Sequence, residues 1–160
     1  MFIRLGLAVG IHEAGHLSAA RLLGIPLRQG RGGAFGIRLT FDFSHAGYGR
    51  EAAVHFAGPL AGWLAAALSA GSDRAFAGMN AALAFLNLLP LGGFDGGGIA
   101  RCFFLSGFGP VRGERAASVL SGAVRGMIWL AAVRLALLPE PDAGLLLFAL
   151  GELSRGLFTG

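Results

Sequence analysis

The sequence predicts an all-α polytopic membrane protein of about four to five transmembrane helices, with a small β-hairpin or ribbon at the membrane surface after the first helix. Three observations predict this class. Apolar residues make up 54% of the 160 residues and charged residues only 14%, whereas soluble proteins are roughly a quarter charged. Several apolar runs are long enough to cross a bilayer. A polar stretch between the first two runs alternates with the period of a strand.

The charge balance fits a membrane protein better than a protein that binds nucleic acid. The net charge is +4 and the isoelectric point is about 11.0, but all 13 basic residues are arginines and they form no basic run. Arginines between apolar runs contact anionic lipid headgroups and set the orientation in the bilayer. We therefore expect a lipid bilayer around the chain and no nucleic acid partner. The single cysteine, Cys102, excludes an internal disulfide and a cysteine-rich zinc site.

The first half of the chain predicts two helices with the ribbon between them. Phe2 to Leu23 has about the 20 residues that a spanning helix needs, and its glycines and alanines allow close packing against other helices. In the polar stretch, Gly30 to Gly33 predicts a turn and 36–43 alternates with period two, so we expect a short hairpin. The uncharged run Ala52 to Ala70 predicts the second span.

The second half predicts a third span, a break and two additional helices. Ala75 to Leu91 is the third apolar run, and the glycine-rich stretch Gly92 to Gly98 is expected to interrupt the helix. Irregular backbone at membrane depth is tolerated where it lines a cavity, so the break marks a candidate site. Residues 103–117 predict a looser connection, 119–138 a fourth span, and 143–158 a final apolar helix that is short for a span.

The length indicates a single domain over 1–160 with its core in 1–100. Its orientation follows from the arginines, which concentrate in the connections after the first and third spans. These arginines are Arg28, Arg31, Arg38 and Arg50 in the first connection, and Arg101, Arg112 and Arg115 in the second. With both connections inside, the N-terminus lies outside and the C-terminus lies in the cytoplasm. His16 then lies ~12–15 Å from the cytoplasmic exit of its helix.

The strongest chemical signal lies within the first predicted helix. His12, Glu13 and His16 form an HExxH pattern. On a helix of 3.6 residues per turn both imidazoles lie on one face and can share a metal ion, and Glu13 lies beside them as a base for an activated water. Two histidines and a carboxylate inside a membrane span are costly, which indicates a functional role. The alternative is a buried polar cluster that joins helices.

A catalytic zinc site needs a third protein ligand. Asp95 is the preferred candidate because it is a carboxylate in the glycine-rich break, on the same side of the bilayer as His16. His55 on the second span is the rival, and a simple turn role is the alternative for Asp95. These residues predict a zinc-dependent intramembrane endopeptidase, in which Glu13 takes a proton from water and passes it to the leaving amine.

Further residues extend this hypothesis. Asn87 is a candidate to bind the substrate backbone or the oxyanion, or else to hydrogen-bond a neighbouring helix. An extended substrate can add to the strand edge of 36–43. Two other function classes remain open: a membrane protein that binds or carries a divalent metal without proteolysis, and an inactive binding module. Glu13 discriminates between them, since a metal carrier needs no base beside its ligands.

Three stretches of the chain resemble the site-2 protease family of intramembrane zinc metalloproteases. They are His12-Glu13-Ala14-Gly15-His16 followed by Ala-Ala-Arg-Leu-Leu-Gly, Ala57-Gly58-Pro59-Leu60-Ala61, and Phe85-Leu86-Asn87-Leu88-Leu89-Pro90 leading to Phe94-Asp95-Gly96-Gly97. The chain is similar to the compact branch without PDZ or CBS domains, which contains the stage IV sporulation protease. It departs from the family pattern at Gly93-Phe94 before the aspartate, and at Gly62, where an asparagine is common.

The resemblance implies one zinc ion (Zn²⁺) bound by His12, His16 and Asp95, with Glu13 as the catalytic base. It also implies regulated intramembrane proteolysis of a membrane protein or peptide, such as an anti-sigma factor, a pro-sigma factor or a signal-peptide remnant. The implied location is a bacterial cell membrane, with the active site towards the cytoplasm.

Overall fold

The computed structural model describes residues 2–33 and 36–137, and in the C-terminal segment residues 144, 147–148 and 150–152. Up to residue 137 the described chain forms four helices and a two-stranded ribbon, and the described residues of the C-terminal segment are helical as well. In chain order they are α1 Phe2–Leu22, β1 Leu27–Gly33, β2 Gly36–Phe41, α2 Tyr48–Ser69, α3 Arg74–Asn87 and α4 Asp95–Ala136. The predicted class, a helical protein with a ribbon after its first helix, is confirmed.

Two helices in the described part, α2 and α4, are long and apolar enough to cross a membrane, since their most apolar 18-residue stretches have mean hydropathies of 1.3 and 1.5. α1 has the length of a span at 21 residues, but its histidines and glutamate lower its hydropathy. α3 has 14 residues, which is short for a span. Exposed large apolar side chains along the helices include Phe2, Ile3, Leu68, Phe85, Phe103, Val119 and Leu130. Such exposed apolar surface is typical of contact with lipid.

The ribbon is antiparallel and packs against the ends of two helices. Leu27 lies opposite Phe41, and Gly33 lies opposite Gly36. The stretch Gly30 to Gly33, predicted as the turn, instead forms the end of β1, because backbone pairing with β2 outweighs the low strand propensity of glycine. The ribbon is anchored by a buried cluster of Ala20, Ile25, Phe41 and Val54, which joins it to α1 and α2.

Small residues bring the first three helices close together. A Cβ at Gly15 of α1 would lie 2.5 Å from the Ala57 carbonyl oxygen of α2. A Cβ at Gly62 of α2 would lie 3.2 Å from the Cβ of Ala84 on α3. The predicted small-residue packing of the first helix is therefore present at Gly15.

An ion pair ties the start of α1 to the start of α3. Arg4 donates to the Asp73 carboxylate over 2.8 Å, and the same carboxylate accepts the backbone N–H of Phe76 as the N-cap of α3. These hydrogen bonds, first that of Phe76 and then that of Arg4, hold the pKa of Asp73 below its usual range. The start of α1 and the α2–α3 connection therefore lie at the same end of the molecule.

The long helix α4 reverses direction near its middle. Gly109 has φ 73° and ψ 174°, and Pro110 follows it. Thirteen residues of straight helix would span about 20 Å, yet Arg101 donates to the Glu114 carboxylate over 2.5 Å. Farther along, the N–H of Gly92, just before α4, donates to Ser121 Oγ over 2.9 Å. α4 therefore folds back on itself as two arms, 95–108 and 110–136.

Two predictions for this region are wrong. The glycines after Asp95 lie in the first turn of α4, although they were expected to interrupt a helix. A Cβ at Gly96 would overlap the backbone of Leu88, and a Cβ at Gly97 would overlap that of Leu91. These glycines therefore let the first turn of α4 pack closely on the preceding segment, and this packing offsets the low helix propensity of glycine. Residues 103–117, predicted as a loose connection, are helical on both sides of Gly109. Most of the predicted helix 143–158 lies outside the described residues.

Candidate metal centre

The two histidines of α1 lie on its inner face, one turn apart. Both are buried, His12 at 5% and His16 at 6% exposure. Their rings are nearly perpendicular, at 84°, and their Nε2 atoms are 3.1 Å apart. The predicted helical spacing therefore directs both imidazoles to one point.

Asp95 completes this group from the opposite side. It is the first residue of α4 and follows a loop in which Gly93 has φ +91°, a conformation that favours glycine. Its Oδ2 lies 3.1 Å from His12 Nε2 and 3.3 Å from His16 Nε2. The structure thus brings together the three residues that the sequence singled out as ligands, with ligand atoms within 4.8 Å of one another.

The spacing of these atoms fits a zinc ion. Tetrahedral zinc with nitrogen and oxygen ligands at ~2.0–2.1 Å has ligand atoms ~3.3 Å apart. The three separations here are 3.1, 3.1 and 3.3 Å. Two imidazole nitrogens and a carboxylate oxygen are also the donor set that catalytic zinc sites use.

α2 fixes the orientation of one ligand. The Nδ1–H of His16 donates to the Val54 carbonyl oxygen over 2.7 Å, which leaves the lone pair of Nε2 directed at the other two ligands. One turn farther along α2, a Cβ at Gly58 would overlap the His16 imidazole. The absence of a side chain at Gly58 therefore makes room for this ring.

His55, the rival ligand, does not join the group of three. Its Nδ1 lies 3.3 Å from Asp95 Oδ1, whereas Oδ2 is the oxygen that lies 3.1–3.3 Å from His12 and His16. Its ring centroid lies 5.7 Å from that of Phe43, which follows the ribbon. His55 thus contacts a candidate ligand, whereas His12, His16 and Asp95 face one another.

A cavity of about 480 Å³ opens beside the three candidate ligands. Glu13 and Asn87, the other two predicted site residues, both line it. The Glu13 carboxylate lies near the backbone N–H of Leu39 on β2, and one N–H of the Asn87 amide donates to the Leu83 carbonyl oxygen over 2.9 Å. The ribbon contributes Leu39, Thr40 and Phe41 to the cavity wall.

Sequence reasoning missed a charged cluster at the edge of this cavity. Arg101 lines the cavity and donates to the carboxylates of Glu51 on α2 and Glu114 on the second arm of α4. Glu51 precedes His55 by four residues, which places both on one face of α2. The sequence could therefore have indicated that Glu51 lies on the same side of α2 as the site. The pairing with Glu114 was not foreseeable, since it depends on the reversal of α4 at Gly109.

No protein-family model and no curated protein matches the sequence. Among solved structures, the chain is similar to the site-2 protease from Methanocaldococcus jannaschii, with a TM-score of 0.72 and 21% sequence identity. The match covers 94% of this chain and 73% of that chain. The chain therefore has the fold of a site-2 protease, and the fold expected from the sequence motifs is confirmed.

Proposed function

We propose that this chain is a zinc-dependent intramembrane endopeptidase, acting on membrane-embedded or membrane-tethered proteins. One observation carries the proposal: the Nε2 atoms of His12 and His16 and Oδ2 of Asp95 face one another at 3.1–3.3 Å, beside a cavity that Glu13 also lines. The fold of a site-2 protease supports a proteolytic function. The apolar helices α2 and α4 support a location in the bilayer.

His12, His16 and Asp95 would hold one zinc ion, which supplies Lewis acidity that acidifies a water and polarises a peptide carbonyl. Glu13 accepts the proton of the attacking water and passes it to the leaving amine. Its place on the cavity wall suits both transfers. Asn87 keeps a second amide N–H beyond the one bonded to Leu83, and we assign it to the substrate backbone or the oxyanion.

The substrate would bind as an extended strand along β2. A helical substrate hides its peptide groups in its own hydrogen bonds, so it must unwind before water can attack. In the described part of the chain β2 pairs with β1 alone, and its residues Leu39 to Phe41 line the cavity. The backbone N–H of Leu39 lies near Glu13. This proximity supports the proposal that the unpaired edge of β2 in the described chain faces the catalytic residues. An added strand would therefore run past the proposed base.

The chain would act as a single domain and an integral protein of a bacterial cell membrane, with its cavity towards the cytoplasm. The arginine distribution in the sequence supports this orientation.

Replacing the proposed base tests the proteolytic function. We expect Glu13→Gln to lower cleavage by about 10²–10⁴-fold, since a positioned general base contributes that much, while zinc content stays at about one ion per chain. Wild type and variant are reconstituted with zinc and a panel of tagged single-span membrane proteins. Fragments are identified by mass spectrometry, and zinc is measured by elemental analysis.

Two outcomes would contradict the proposal. Cleavage by Glu13→Gln at the wild-type rate would show that Glu13 is not the general base. Retention of zinc by a wild-type chain that cleaves no member of the panel would favour the other function, a membrane protein that binds or carries a divalent metal.

The same assay tests the strand edge. Leu39→Pro interrupts the strand edge and removes the backbone N–H beside Glu13, and we expect cleavage to fall by at least about tenfold, the effect of losing one hydrogen bond, with zinc retained. Leu39→Ala is the matched control, because it shortens the same side chain and keeps the N–H. Equal activity of these two variants would show that the backbone of Leu39 does not bind the substrate.

A further inference from the structure

His55 lies against the metal centre without belonging to the three ligands. Its Nδ1 is 3.3 Å from Asp95 Oδ1, whereas Asp95 Oδ2 is the atom that faces His12 and His16. The two oxygens of one carboxylate therefore have different neighbours.

A different part of the chain carries Asp95 from the part that carries the two histidines. His12 and His16 are held by the rigid frame of α1, one turn apart. Asp95 follows the loop of Gly92 and Gly93 and is the first residue of its helix. Ligating carboxylates are usually oriented by a hydrogen bond from outside the ligand shell.

The His55 ring is itself fixed by its surroundings. On one side is the ring of Phe43, with centroids 5.7 Å apart. On another side is Gly98 of α4, where a Cβ would lie 2.5–2.7 Å from three atoms of the imidazole. Since no real Cβ contact is that short, any side chain at Gly98 would displace the ring. α4 therefore carries Asp95 and, one turn later, Gly98, whose lack of a side chain makes room for the His55 ring.

We propose that His55 is a positioning residue for the metal centre: its Nδ1–H donates to Asp95 Oδ1 and keeps Oδ2 directed at His12 and His16. This inference rests on the proposed function, because it assumes that Asp95 is a zinc ligand. It differs from the initial prediction, in which His55 was a rival ligand.

The test measures zinc affinity by competition with a chelator in detergent, for the full chain. We expect His55→Leu to weaken zinc binding about 10–100-fold, the usual effect of losing a hydrogen bond to a ligand. His55→Asn carries an amide N–H at the position of Nδ1, so it is expected to restore most of the affinity. Circular dichroism and thermal unfolding establish that each variant is folded.

A second test fills the space that the His55 ring occupies, by substituting Gly98. Gly98→Ala is expected to weaken zinc binding about tenfold in the wild type, although alanine favours a helix. In a His55→Ala background the same change should alter the affinity by less than about twofold, because no ring remains to be displaced. Gly107→Ala is the control in the same arm of α4, since a Cβ there meets no described atom within 4 Å.

The outcomes separate this inference from the proposed function. A wild-type chain that binds no zinc would overturn both. Tight binding by the wild type together with unchanged binding by His55→Leu would overturn the positioning role alone. Equal effects of Gly98→Ala in the two backgrounds would also overturn it.

Discussion

Different neighbouring residues orient the candidate ligands, although the ligands face one centre. His16 is oriented by the Val54 carbonyl and has its space from Gly58, both on α2. Asp95 is contacted by His55, also on α2. One helix that contributes no ligand therefore controls the direction of two of them. Side chains on α2 should affect the metal site without touching the ion.

Gly58 offers a direct test of this control. A methyl group at Gly58 would overlap the His16 imidazole, so Gly58→Ala should weaken zinc binding about 10–100-fold, as for other changes that reorient a ligand. The measurement is chelator competition alongside circular dichroism.

Gly78→Ala on α3 is the matched control, because a Cβ there meets no described atom within 4 Å. Both substitutions favour a helix, so helix propensity cannot explain a difference between them. Unchanged zinc affinity in Gly58→Ala would contradict the close packing of α2 on His16.

The sequence alone predicts part of this site. His12, Glu13 and His16 are predictable because helical periodicity places them without reference to the rest of the chain. Asp95 could be preferred over His55 as the third ligand, because it is a carboxylate in the glycine-rich break, but the sequence left His55 open as a rival. The contact between those two residues depends on how α2 and α4 pack, which periodicity does not describe.

At the scale of elements, the loop that delivers Asp95 is held by the second arm of α4. The N–H of Gly92 donates to Ser121 Oγ over 2.9 Å, and Gly93 follows with its left-handed backbone. This contact exists because the chain reverses at Gly109. The second arm therefore restrains the loop before the candidate ligand, although the sequence places it 29 residues away.

We expect Ser121→Ala to release this loop. The change removes the acceptor for the Gly92 N–H and should lower the free energy of unfolding by about 1 kcal/mol. Amide hydrogen exchange at Gly92 to Phe94 should become faster. Both are measurable in detergent, by thermal unfolding and by mass spectrometry.

Ser106→Ala is the control for Ser121→Ala, since Ser106 Oγ donates to the Phe103 carbonyl within its own helix. Faster exchange at Gly92 in the control, or unchanged exchange in Ser121→Ala, would show that the second arm does not restrain the loop.

The elements differ in how far the sequence predicts them. The bounds of α1 and α2 follow from long apolar runs, and both were predicted to within four residues of the observed ends. The start of α4 was missed because three successive glycines favour a loop. Packing explains the difference, since Gly96 and Gly97 approach the carbonyls of Leu88 and Leu91 more closely than any other residue could.

At the scale of the whole molecule, the two ends are chemically distinct. One end carries the ion pair between Arg4 and Asp73. The other carries the ribbon, and the cavity opens beside it. The ribbon belongs to the arginine-rich connection after the first span, which is predicted to face the cytoplasm. Asp73 belongs to the connection between the second and third spans, which is predicted to face outside. The contact of Arg4 with Asp73 places the two residues at one end of the molecule, and which side of the bilayer that end faces stays a prediction.

This orientation can be measured with single cysteines. Cys102 is buried, at 2% exposure, and Cys102→Ala gives a background without cysteine. Ser72 in the α2–α3 connection and Ser44 after the ribbon are both exposed. We expect a membrane-impermeant maleimide added to intact spheroplasts to label Ser72→Cys and not Ser44→Cys. After lysis both should be labelled, which controls for accessibility. Labelling of Ser44→Cys alone in intact cells would reverse the orientation and place the cavity towards the outside, because the cavity lies at the ribbon end.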